Sequence, residues 1–374
     1  MLIVDGHLDL ANNALRGERD QRLAVAALRE RERGADESRG ICTVTLPELR
    51  RGGVAVVVST LLARCKPWLD PARSIKRTSI DYVDETMSFA AAQGELAYYR
   101  LLQQQGELRV LESARQLDEH VERWSGGATK QVGVILTMEG ADPIVEPEQV
   151  RTWHAQGLRT LMLAHFGRSR FAAGTPSTDP DEAHDVDGPL TGLGYALLKE
   201  MEQLEMPLDL SHSSDQSFFC AIDAFGGTVY SSHATCRALV AENWGVHPMR
   251  LHTDEQLRLL VRREGVIGVT MFNAHLQEGY KPPPESDPDS VTLQTVGVHV
   301  DHICQLAGSA RHVAIGSDLD GGFGCEHTPR GLDTIADLAR IGPVLSDRGF
   351  SDEDIGRFLG GNWLAFWRGN LPDR

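Results

Sequence analysis

The chain has 374 residues, 41% hydrophobic and 24% charged, a composition far from disordered or fibrous sequences. Its 53 acidic against 37 basic residues give a formal net charge of −16, which tells against nucleic acid or an anionic membrane surface as a partner. Six cysteines without a CxxC pair exclude a zinc ribbon or a small disulfide scaffold and read as thiols of a reducing compartment.

Taken in chain order, short apolar, β-branched runs alternate with longer helical stretches, the pattern of βα units feeding a parallel sheet. The expected strands are LIV at 2–4, VAVVVSTLL at 54–62, VGVILT at 132–137, LRTLMLA at 158–164, MPLDL at 206–210, GTVYSS at 227–232, GVIGVTM at 265–271 and HVAIGS at 312–317. Near-continuous apolar runs of this kind suit strands covered on both faces. Helices are expected over 74–102, 191–205, 254–264 and 291–308, each a crossover between consecutive parallel strands. Three polar stretches, 16–40, 170–189 and 281–290, read as loop insertions. The closing segment SDEDIGRFLGGNWLAFW, with a Ser cap and an acidic first turn, reads as a final helix weakened or kinked at its Gly-Gly pair. The expectation is an α/β fold, a (β/α)8 TIM barrel with loop insertions, forming a single domain over 1–374. The opening MLIVDGHLDL lacks a basic stretch followed by a long apolar run, and no window approaches about 20 apolar residues. A cytoplasmic protein without a membrane partner is the expectation.

A barrel builds its site at the C-terminal ends of its strands, so polar residues there carry the functional signal. His7 and Asp9 close the first strand; two apart in extended backbone, they would face one side and share a metal, although a chance His and Asp at this spacing is common. Glu139 follows the apolar third strand, and its carboxylate could bridge two cations; the bland alternative is a buried acid paired with an arginine. His212 in DLSHSS and His233 in YSSHAT hold equivalent places on neighbouring strands, so that two imidazoles converge on a second metal, while either alone would read as a core histidine. His165, after LMLA, is placed to polarise a carbonyl or stabilise an oxyanion, with a plain core residue as the competing reading. Asp318 in GSDLDGG stands at the barrel mouth as a proton carrier, and Asp320, further into the loop, has the weaker claim.

With these motifs in view, the sequence resembles the membrane dipeptidase (renal dipeptidase) family, peptidase family M19 of the amidohydrolase superfamily, across nearly its whole length. DGHLDL resembles the family's opening metal motif, TMEG its bridging glutamate, LMLAHF its substrate histidine segment, and DLSH and SSHATCRAL its later metal histidines. IGSDLDGG and LGGNWLAFW are similar to its closing signatures, and TLPELRRGGV at 45–54 to a segment before its second strand. The resemblance implies His7, Asp9 and Glu139 on one metal, Glu139, His212 and His233 on the other, His165 on substrate and Asp318 in proton transfer. It further implies an arginine that grips a substrate carboxylate, for which Arg250 is the counterpart and Arg237 the alternative. The implied cofactors are two divalent metal ions, with zinc favoured by mixed His and carboxylate ligands. A homodimer is implied as well. The implied activity is hydrolysis of the peptide bond of dipeptides, L,L or L,D, by attack of a metal-bridging hydroxide. Hydrolysis of N-acyl amino acids or lactones at the same site is the alternative, and a non-catalytic metal-binding scaffold the second. Three departures from the family pattern stand out: Leu8 where the family has Asn, Ala141 and Asp142 where it has Gly-His in the glutamate motif, and Phe272 where a tyrosine is expected, which removes a hydroxyl that could contact substrate or backbone.

Overall fold

A computed structural model of the chain describes residues 2–35, 39–68, 80–176, 186–240, 246–281, 285 and 287–373. Eight parallel strands follow one another in chain order: β1 (Ile3–Leu8), β2 (Val54–Leu61), β3 (Val132–Met138), β4 (Leu158–Met162), β5 (Leu208–Asp209), β6 (Val229–Ala234), β7 (Ile267–Val269) and β8 (Val313–Ile315). Each expected strand is present. Every residue of β2 and β3 is buried, as their unbroken apolar runs require of strands covered on both faces. These two are joined in continuous register from Val56 opposite Gly133 to Leu61 opposite Met138.

A short strand, Leu108–Val110, has no counterpart among the expected elements. It pairs in parallel with Val132–Val134, beside the start of β3, while β4 pairs with the end of β3 from Leu136 onward. With only three residues, one of them Arg109, it carries too little periodicity to be seen in sequence.

Among the described residues no ladder joins β8 back to β1. The seam is bridged instead by the Asp5 carboxylate, which accepts from Ser317 N at 2.8 Å and from the Ser317 hydroxyl, and by Asp318 N donating to His7 O at 3.3 Å. Glycines let β7 and β8 come close to β6: a Cβ on Gly268 or on Gly316 would lie 1.8 Å from the Ser232 carbonyl oxygen of β6.

The crossovers carry side-chain caps. Thr191, Thr253 and Thr292 each accept a backbone N–H at the start of helices Gly192–Gln203, Asp254–Arg262 and Leu293–Ala307. Two expectations need correction. The helix expected over 74–102 runs from Glu85 to Gln104, because Asp84 caps it by accepting from Met87 N at 2.8 Å and Asp81–Tyr82 are drawn into a two-stranded ladder with Arg64–Cys65; 74–79 lie outside the described residues. The charged insertion 16–40 is not all loop. It contains the helix Val25–Glu32, held by Val25 and Leu28 packing on Cys42 and by Arg19 paired with Glu32 at 2.8 Å.

The closing segment breaks at its glycines. Helix Asp352–Gly356, capped by Ser351, passes through a widened turn at Arg357–Gly361 into helix Asn362–Asn370. Asn362 donates to the carbonyls of Ala310 and Val313, and the Trp363 indole to that of Ile315 at 2.7 Å, fastening this helix to β8. Trp363, Phe366 and Trp367 pack edge-on and tilted around Tyr230 of β6.

Candidate metal centre

Parallel strands bring their C-terminal ends to one rim, and seven of the side chains singled out by sequence meet there. His7 lies inside β1 and His233 inside β6; Glu139 directly follows β3, His165 follows β4, His212 follows β5 and Asp318 follows β8. His212 and Asp318 adopt left-handed backbone, φ 60° and 57°, which non-glycine residues rarely occupy; the turns after these strands aim both side chains inward at a conformational cost. Asp9 differs from expectation. It sits past the end of β1 as N-cap of helix Leu10–Leu15, with φ −94° and ψ 51°, so a turn rather than extended alternation brings its carboxylate back toward His7.

The Glu139 carboxylate is the hub. Its Oε1 lies 3.4 Å from His7 Nε2, 3.4 Å from His212 Nε2, and 3.5 Å from both His233 Nε2 and His165 Nε2. Asp9 and Asp318 approach His7 Nε2 at 3.8 and 3.9 Å, and the Asp9 carboxylate also accepts from the Thr60 hydroxyl. Ligand atoms within 4.8 Å of one another form three overlapping sets: His7, Asp9 and Glu139; Glu139, His165 and His212; His7, His233 and Asp318.

These residues fit divalent cations on the chemistry of their buried atoms. His7 Nε2 and Glu139 Oε2 have no hydrogen-bond partner, and three carboxylates share one buried rim. Burial raises Asp9 and Glu139 to about 7, the charge of Glu139 adding to the effect on Asp9, and burial lifts Asp318 well above the ordinary carboxylate range. The same burial pushes His165, His212 and His233 well below the usual imidazole range, leaving neutral rings with a lone pair to offer a cation or a donor. A cluster this costly without counter-charge is what metal ligation satisfies.

The rim opens into a cavity of about 500 Å³ lined by Asp9, Glu139, His165, His212, Arg250 and Asp318, with Phe166, Phe272 and Phe323 on its apolar side. Arg250 is 2% exposed; one guanidinium nitrogen donates to His233 O at 3.0 Å and Nη2 has no partner. Arg237 instead forms a two-pronged ion pair with Asp215 at 2.7 and 2.8 Å and does not line this cavity. Asp320 is engaged in structure: its carboxylate accepts from Thr43 N, the Thr43 hydroxyl and Val44 N at 2.7 to 3.0 Å. Of the departures, Leu8 is buried in the core, and Phe272 stacks on Phe323 with ring centroids 4.6 Å apart at the cavity wall. Asp142 is buried and raised to about 6 by desolvation, with the Lys66 charge opposing.

Three supporting residues escaped sequence reasoning. Asp209 of β5 accepts from Ser211 N and Ser232 N at 3.0 Å, tying the turn that carries His212 to the strand that carries His233. Asp5 of β1 accepts from His7 N at 3.2 Å and holds the seam to β8. Both stand as lone acids inside apolar runs, LIVDGHL and PLDLS, a signal that could have marked them. Arg64 reaches the centre from the insertion after β2, its Nη1 3.5 Å from His165 Nδ1, and nothing local in sequence foretells that contact.

Strands in this order, with buried histidines and carboxylates converging at their C-terminal rim, define the class of (β/α)8 barrels built around a metal centre. The chain belongs to the membrane dipeptidase family (peptidase family M19), whose family model matches residues 1–370. An uncharacterized dipeptidase of Schizosaccharomyces pombe is 27% identical over 243 residues, 63% of this chain and 53% of that protein, so the chain spans about half the length of this relative. Two solved structures share the fold across nearly both full chains. The dipeptidase AC, a metallopeptidase, superposes with a TM-score of 0.76 at 21% identity, covering 100% of this chain and 99% of that one. A metallopeptidase from Rhodobacter sphaeroides, solved with a phosphinate mimic of the dipeptide L-Ala-D-Ala, superposes with a TM-score of 0.75 at 20% identity, with 99% of each chain covered.

Proposed function

We propose that this chain is a metal-dependent dipeptidase acting on short substrates with a free C-terminal carboxylate. The observation that carries the reading is the placement of Arg250, buried with an unpartnered Nη2, across one small cavity from the Glu139 hub. An arginine so placed would fork onto a carboxylate at a set distance from the reacting bond, restricting substrates to short ones. Family membership and the dipeptide mimic held by the Rhodobacter sphaeroides relative support the same reading.

His7, Asp9 and Glu139 would hold one divalent ion and Glu139, His212 and His233 a second. Zinc suits this mixed set, while manganese, iron and cobalt accept the same ligands. Bound there, such ions supply Lewis-acid polarisation of a carbonyl and a water acidic enough to react near neutral pH. His165, partly exposed at the cavity rim, would donate from the ring to the oxyanion that develops as the amide carbonyl is attacked. Asp318 would take a proton from the attacking water and deliver it to the departing amine; its raised proton affinity suits a carrier that must both accept and release. A cytoplasmic location, supported by six unpaired cysteines, and a homodimer, supported by family resemblance, belong to the same proposal. Among the described residues no helix is long and apolar enough to cross a membrane.

A second reading, hydrolysis of N-acyl amino acids, draws on Phe272 stacked against Phe323, an apolar wall suited to an acyl chain. Assay of the zinc-loaded protein against L,L and L,D dipeptides and N-acyl amino acids, with Asp318→Asn beside it, separates the two. Dipeptide hydrolysis lost in the variant is the expected result. Cleavage confined to acylated amino acids would select the second reading, and silence on both would sink each.

A further inference from the structure

His165 belongs to one of the three ligand-atom sets, so its ring could serve either as a metal ligand or as a hydrogen-bond donor to substrate. The choice turns on which ring nitrogen carries the proton, and a residue outside the barrel strands decides it. Arg64 lies in the short ladder Arg64–Cys65 with Asp81–Tyr82, in which Arg64 and Asp81 are direct cross-strand partners. The Asp81 carboxylate takes Arg64 Nε and Nη2 at 2.7 and 2.8 Å, a two-pronged pair that fixes the plane of the guanidinium. The remaining nitrogen, Nη1, points at His165 Nδ1 at 3.5 Å, the long end of hydrogen-bond distance.

A guanidinium can only donate. His165 Nδ1 must therefore be the acceptor, and in a neutral imidazole the proton then resides on Nε2, the nitrogen that faces Glu139 Oε1 at 3.5 Å. A ring protonated on Nε2 has no lone pair there for a cation. We infer that Arg64, held by Asp81, is a positioning residue that locks His165 in the Nε2–H tautomer, making it a donor toward substrate rather than a metal ligand. The assignment of His165 as oxyanion donor rests on the hydrolase reading above; the tautomer does not.

The test uses the metal-free protein with ¹⁵N-labelled histidine, its ring signals read through two-bond ¹H–¹⁵N correlations and His165 identified by loss of its signals in His165→Gln. The expected result is a protonated Nε2 and a bare Nδ1 in the native chain, with Arg64→Met shifting the ring toward a mixture. In the metal-loaded enzyme Arg64→Met should keep its metal content and lose roughly 10–100-fold in kcat, with little change in KM. Arg64→Lys, which keeps a donor but not the fork to Asp81, should recover part of that loss and covers the case in which the Met variant folds poorly. A native ring protonated on Nδ1, or Arg64 variants whose tautomer and kcat both match the native chain, would overturn the inference. If the native protein hydrolyses no dipeptide, the proposed function fails while the tautomer still decides this inference.

Discussion

His212 Nε2 and His233 Nε2 face each other at 3.0 Å, each within 3.5 Å of the same carboxylate oxygen of Glu139. Two neutral imidazoles aimed at one another offer at best one donor between them, while a cation at their meeting point satisfies both lone pairs and the carboxylate together. Metal should therefore stabilise the fold. Chelator-stripped protein is expected to melt several degrees lower than loaded protein, since ligand at 100 times its Kd contributes about 2.7 kcal/mol. Glu139→Ala should abolish most of that difference and most of the metal bound, measured by elemental analysis alongside the melts.

His165→Ala is expected to keep the metal content of the native protein and to lose about 10²–10³ in kcat, the usual consequence of removing an oxyanion donor. Steady-state rates and metal analysis on one preparation check both halves. A variant that lost its metal as well would show His165 acting as a ligand.

Arg250→Met should raise KM for dipeptides by roughly 30-fold or more, the loss expected when one partner of a buried charged pair is truncated. Amidation of the substrate's carboxylate should raise KM for the native enzyme and add little in the variant. Arg237→Met, which breaks the pair with Asp215 and the Nε bond to Leu251 O but touches nothing in the cavity, should leave KM near the native value. Equal effects of the two substitutions would remove Arg250 from the carboxylate site.

Glu95 is 1% exposed, accepts from Leu62 N at 2.6 Å and lies 3.8 Å from Arg16; burial raises its carboxyl from 4.5 to about 8 despite that cation. A carboxyl whose folded pKa exceeds its unfolded one favours folding while protonated. Its contribution is full below about pH 4.5 and is lost as the pH climbs toward 8. Glu95→Gln keeps the acceptor without the charge, so metal-free variant and native protein should be similar near pH 4.5. The variant should gain up to about 4 kcal/mol over the native chain by pH 8. Urea melts across that range measure it, and a difference independent of pH would rule the ionisation out.

Gly316→Ala should destabilise the barrel by about 3 kcal/mol or more, because the new methyl would lie 1.8 Å from a backbone oxygen that has no rotamer with which to yield. Displacement of the Ser232 strand would also disturb His233, so metal affinity should fall with stability. A melt within about 0.5 kcal/mol of native would show that the β6 to β8 approach is looser than described.

The strands were legible because each is a compact apolar run whose burial is a local property; β2 and β3 could hardly be anything else in this chain. The histidines and acids at their ends were legible for the same reason, since a polar residue closing a buried run has few bland explanations. Leu108–Val110 and the helix Val25–Glu32 were not, being too short or too polar to repeat a pattern and held by partners elsewhere, such as Val132–Val134 and Cys42. Asp9 reaches the rim through a helix cap, where its spacing from His7 suggests extended backbone.

By itself the sequence determined the alternation of strand and helix and the chemical identity of the groups at the strand ends, because periodicity and residue type are written within a few neighbouring positions. Only the tertiary structure decided which of them meet. Arg250 rather than Arg237 faces the cavity because Asp215 holds the second arginine away. Asp320 turns to Thr43 and Val44 while Asp318, two residues earlier, turns to the centre. Arg64 comes to rest on a histidine 101 positions along the chain. Contacts of that range depend on how insertions fold back over the rim, and a hydrogen bond or ion pair is sensitive to fractions of an ångström that no local pattern encodes.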